Sequence, residues 1–174
     1  MKKSWTHLIV FAVLSGLSSL SRIWSVFFTS FDEEKLRHSY EKAGIPNVDE
    51  VISTTRASVE LQSNMVMKIF AVLLLLAMVA VVVYLVRKQG ETASYIYIGY
   101  LFGTLILSTY SFVAGRAVIQ TMTDETFRSV TNATILGGYI AKIALFALFF
   151  GLTVFFHLRK PKVLPDTAQN ATDI

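Results

Sequence analysis

No cysteine occurs anywhere in this sequence. Disulfide-stapled outer domains, thiol nucleophiles and cysteine metal sites are thereby excluded. Acidic residues are missing from a more telling place. Four long apolar runs, roughly 7–28, 65–86, 95–115 and 136–157, contain no Asp or Glu. Proton-coupled transport commonly rests on a carboxylate within the membrane, and these runs offer none. Histidine is scarce as well. His7 and His157 border apolar runs, His38 lies between two of them, and none has the i, i+4 or carboxylate companion of a zinc helix. Serine–histidine catalysis needs both side chains within hydrogen-bond reach, and no histidine lies within a run near Ser15–Ser25. The expectation is a protein that is not an enzyme and has no metal site and no cofactor.

What the chain does have is apolar sequence in blocks: 53% of its 174 residues are hydrophobic. A helical residue rises about 1.5 Å, so a block of about 20 matches the hydrocarbon thickness of a bilayer. The first block exceeds the 7–15 apolar residues of a usual signal peptide, and it reads as a retained helix. Basic residues punctuate the block ends. Lys2 and Lys3 precede the first, Arg87 and Lys88 follow the second, and Arg159, Lys160 and Lys162 follow the fourth. If all four runs cross, these ends share one side, which the positive-inside rule makes cytoplasmic, with both termini there. Segment 29–63 on the other side holds seven acids against four bases. Bases scattered in this way form no nucleic-acid patch.

The segment between the first two runs carries helix signals. "SFDE", Ser30 to Glu33, reads as a capping box, with Phe31, Leu36 and Tyr40 at near-helical spacing behind it. Gly44 and Pro46 mark a stop. "NVDE", Asn47 to Glu50, marks a second start, whose stripe of Val48, Val51, Ile52, Thr55 and Val59 is expected to run directly into the second span. By contrast, "RKQGETAS" (87–94) is a tight turn around Gly90, and residues 163–174 are too polar to fold.

The two halves of the chain also resemble each other. "MKIFAVLLLL" (67–76) aligns with "AKIALFALFF" (141–150), placing Lys68 over Lys142, and "LVRK" (85–88) answers "HLRK" (157–160). A parallel duplication of two helical hairpins explains this, and so does chance similarity between apolar helices ending in Arg-Lys.

Two polar features interrupt the apolar runs. Ser15, Ser18, Ser19, Arg22 and Ser25 follow helical spacing and share one face. Such a stripe is either a packing seam of small residues or a hydrophilic path. Each run also carries one base toward its outer end: Arg22, Lys68, Arg116 and Lys142. Singly, each could snorkel to lipid headgroups. Together they suggest a basic ring at a common depth, with Glu60, Asp124 and Glu125 as counter-charges or with an anion at its centre.

Tyr95, Tyr97 and Tyr100, with Trp5 and Trp24, read as interface anchors. The phenylalanines of "FALFF" (146–150) read as a surface for lipid or for another membrane subunit. The sequence as a whole describes an all-α, polytopic four-helix membrane bundle over 1–162 with a short-helical outer segment at 30–63. A disordered cytoplasmic tail would follow at 163–174. Lack of cysteine fits a bacterial plasma membrane. Such a protein would act by binding, with membrane lipids and a membrane-protein partner or second copy as its partners and no nucleic acid. The competing reading is a small transporter or channel for an anion or anionic lipid.

Overall fold

A computed structural model describes residues 5–45 and 47–158. These form six helices: α1 (Thr6–Phe28), α2 (Glu33–Lys42), α3 (Val48–Gln62), α4 (Met65–Val86), α5 (Gly90–Ile119) and α6 (Glu125–Leu158). No strand is present among the described residues. Helices α1, α4, α5 and α6 are each long and apolar enough to cross a membrane. The tail at 163–174 and the basic residues at 2–3 and 159–162 lie outside the described residues.

The long helices pack in chain order, α1 along α4, α4 along α5 and α5 along α6, whereas α1 and α6 touch only slightly. Their contact is at one end, where His7 stacks on Phe156 at 4.4 Å and Trp5 lies 5.9 Å from His157. Further along, Phe11 meets Phe149 edge-on at 5.1 Å.

The same end holds the α4–α5 turn. Three residues, 87–89, make it, and Lys88 takes the left-handed conformation there at φ 61°. Gly90 is needed for a different reason: its missing Cβ leaves the space that the Trp5 indole occupies. Trp5 thus joins the start of α1 to the start of α5.

At the opposite end the short helices form a clasp. Asp32, not Ser30, caps α2, its carboxylate accepting from the Lys35 backbone N–H at 3.2 Å. That carboxyl is held below the ordinary aspartate range, first by its hydrogen bond from the Lys35 side chain. Glu33 pairs with Arg56 of α3, and Arg37 reaches Asp49 at 2.7 Å. Glu50 accepts from the backbone N–H groups of Thr123 and Asp124, which tethers α3 to the start of α6. Asn47 begins α3 in a left-handed conformation (φ 56°), makes no side-chain cap, and instead donates to Asp124 at 3.2 Å.

Helix α3 does not continue into α4. The chain breaks at Ser63–Asn64, and Asn64 starts a new helix by accepting from the Met67 N–H at 2.9 Å. The other half of the chain has no such break. There a single 34-residue helix, α6, covers both the outer segment and the apolar run. The alignment that places Lys68 over Lys142 sets Ser63 and Asn64 against Gly137 and Gly138, which are helical.

Much of the outward surface is apolar, with Leu73, Leu76, Val79 and Ile140 all exposed. Polar groups lie inside. Tyr97 is fully buried and Tyr100 nearly so, so these two are core residues and not interface anchors; Tyr95 alone of the three is exposed. Phe146, Phe149 and Phe150 likewise turn inward against the core, where Phe146 and Phe150 meet Phe102 of α5 edge-on at 5.3 and 5.5 Å. They join α6 to its neighbours.

Candidate functional site

The serine stripe of α1 splits into two rows with different partners. Ser15 and Ser19, four apart, face the bundle interior, where the hydroxyls of Tyr97 and Tyr100 each lie 2.9 Å away. Tyr100 donates its one proton to the Ser15 carbonyl at 3.2 Å, so Ser19 is the donor to Tyr100. The two phenol rings stack at 5.8 Å in the buried core. Phenols buried among apolar helices require such partners. This row is a packing seam that closes the middle of the molecule.

Ser18, Ser21 and Ser25 belong to the second row and line a cavity of about 390 Å³ together with Arg22. Its walls come from α1, α3, α4, α5 and α6, with Gln62 supplied by α3. Ser108 and Ser111 of α5 also line it, Met67 of α4 contributes an apolar wall, and Lys142 approaches from α6. Arg22 is half-buried and Lys142 is exposed. No carboxylate lines this cavity. Among the described residues, neither cation has an ion pair, and Ser18, Ser21, Ser25 and Ser108 make no side-chain hydrogen bond. Serines in helices commonly donate to the carbonyl four residues earlier, as Ser111 does to Leu107 at 2.9 Å. The other four make no such bond.

Depth explains which bases meet. Arg22 lies sixteen residues from Thr6 and Lys142 sixteen from Leu158, each about 24 Å from the shared aromatic end. Lys68 lies at a similar depth, about 27 Å from Val86, but on another face, with its ammonium 5.9 Å from the Phe27 ring centre. Arg116 is about 39 Å along α5 from Gly90, well beyond the level of the others. It sits over Phe112 at 5.9 Å and lines a separate outer cavity of about 290 Å³ with Arg128, Asn132 and Glu125. The four bases therefore do not form one ring. The structure brings Arg22 and Lys142 together and leaves Lys68 and Arg116 apart from them.

None of the three acids expected to face the bases lines the cavity of Arg22 and Lys142, and only Glu125 shares a cavity with one of the four, Arg116. Asp124 caps α6 by accepting from the Phe127 N–H at 2.9 Å and receives Asn47. Glu125 is 3.9 Å from Arg128. Glu60 is exposed and pairs with none of the described bases.

Sequence reasoning missed Ser21, Ser108 and Ser111 as cavity residues. The three-residue spacing of Ser108 and Ser111 inside an apolar run was the signal for the α5 pair. It also missed a serine–histidine contact at the other end, where His157 Nδ1 and Ser94 Oγ lie 3.1 Å apart. Ser94 is fully buried, and the contact links α6 to α5. No cluster of metal-ligating side chains exists among the described residues.

The chain belongs to the family described as "Domain of unknown function (DUF8777)", whose model matches residues 1–166. No curated protein and no solved structure matches it.

Proposed function

We propose that this chain is an integral membrane protein that acts by binding, with an anion site in the outer half of the bilayer. Helices α1, α4, α5 and α6 would span the membrane as a bundle. The end bearing Trp5, Arg87 and Lys88 would lie in the cytoplasm, as the clustering of bases supports. The clasp of α2 and α3 would then cover the outer face. Absence of cysteine fits a bacterial plasma membrane.

One observation carries the reading: Arg22 and Lys142 line the same cavity, and no acid neutralises them there. A base within a bilayer costs about 2.5–3.5 kcal/mol on insertion scales, less toward the interface, and an anion would offset that cost. Binding is favoured over passage by Tyr97 and Tyr100, which fill the bundle below the cavity and consume Ser15 and Ser19. A protein of this design would serve as an accessory or interaction subunit, with its cavity holding a ligand or a partner's acidic group.

Affinity purification in a mild detergent, followed by lipid and protein mass spectrometry, tests this. A stoichiometric anionic lipid or protein should accompany the wild type and be lost from Arg22→Ala and Lys142→Ala. Anion flux through liposomes containing the chain alone would instead favour transport.

A further inference from the structure

We infer that the cavity lined by Arg22 of α1 and Lys142 of α6 receives the phosphate of a lipid headgroup, which reaches it sideways from the bilayer. This rests on the reading above that the four long helices lie in a membrane.

Three features select phosphate. Two cations face one space without a carboxylate, which suits a group carrying more than one negative charge. Arginine binds phosphate oxygens in pairs, while lysine acts on them as a point charge, and one of each is present. Ser18, Ser21, Ser25 and Ser108 then supply donors for the remaining oxygens, more than the two oxygens of a carboxylate can use. The outer cavity beside Arg116 lacks this character, because Glu125 lies in its wall.

Three further features select a lipid as the bearer. The volume of about 390 Å³ falls among small-molecule sites, leaving room for more than a bare ion. Met67, Val26 and Leu107 give one side of it an apolar wall suited to a glycerol backbone. Helices α1 and α6 have little contact, and Leu17, next to Ser18 in α1, is an exposed apolar residue on which an acyl chain can lie.

Native mass spectrometry of the full chain in detergent, titrated with phosphatidic acid, phosphatidylcholine or oleate, tests the inference. Inorganic phosphate serves as competitor, and thermal melting confirms that each variant is folded. Phosphatidic acid should be retained over phosphatidylcholine. Arg22→Gln and Lys142→Gln should each weaken its retention about tenfold or more, the loss of one charge-assisted contact, while Lys68→Gln leaves it unchanged. Displacement by millimolar inorganic phosphate would overturn the lipid and leave a water-borne phosphate site. Equal retention of oleate with the same dependence on Arg22 would overturn phosphate but keep an anion site. If no anion depends on Arg22 or Lys142 in folded variants, this inference and the proposed function both fall.

Discussion

The Tyr97 hydroxyl lies 2.9 Å from that of Ser15 on α1, a helix that does not pack alongside α5. The phenol spans the bundle and supplies, with Tyr100 and Ser19, polar contacts that hold α1 in place. Tyr97→Phe should keep the shape and lose the hydrogen bond. In membrane proteins such bonds average about 0.6 kcal/mol and reach about 2. A loss of that order, measured by reversible denaturation in mixed micelles, is expected. A core replacement such as Tyr97→Ala should cost more, about 3–5 kcal/mol.

Gly90 allows Trp5 to close the aromatic end. Gly90→Ala places a methyl group where the indole lies, and a forced rearrangement of this kind typically costs about 1–3 kcal/mol. The Trp5 emission, isolated in a Trp24→Phe background, should shift to the red as the ring is displaced to a wetter position. An unchanged spectrum with wild-type stability would show that the ring does not rest there.

Much of this fold could be read from the sequence because lipid-length apolar runs have sharp edges. Helix α4 starts and ends where its run does, bounded by Asn64 and Arg87. The ends of α5 and α6 were harder to place. Gly90–Ser94 and the first ten residues of α6 are polar enough to read as loops, yet both are helical: Trp5 packs on Gly90, Ser94 meets His157, and Asp124 caps α6. The depth of Arg116 depends on where α5 begins, so its separation from Arg22 was hidden with that boundary. Helical spacing placed Ser15, Ser18, Ser19 and Ser25 on one face, but a face is broad. Which serines meet tyrosines and which line the cavity follows from the positions of α5 and α6, which periodicity does not encode. Capping was ambiguous because Ser30 and Asp32 are both good caps.

Glu50 holds two backbone donors at the start of α6. Glu50→Ala leaves both without that carboxylate and should cost about 1–3 kcal/mol if water does not replace it. Hydrogen exchange at Thr123 and Asp124 should speed up, while the amides of α4 stay protected. Equal acceleration throughout would mean that the clasp is not a separate unit.

The Asp32 carboxyl is held low by Lys35. A group whose value is lowered by folding contributes stability above its ordinary value, here 3.8, and that contribution is lost as pH falls through the lowered one. The start of α2 should therefore loosen only below pH 3.8, and the Asp32 carboxyl resonance should titrate there. Asp32→Asn should abolish that titration and keep the cap, since asparagine caps as well. A midpoint at or above 3.8 would contradict the contact.

In the proposed site Arg22 and Lys142 would act on one ligand in one cavity. A double-mutant cycle with Arg22→Gln and Lys142→Gln, reading phosphatidic acid affinity in folded protein, tests it most directly. Residues that grip the same group couple by about 0.5–3 kcal/mol, so the double variant should depart from the sum of the singles by that much. Measurable single losses that add within about 0.3–0.5 kcal/mol would mean that the two cations serve separate sites.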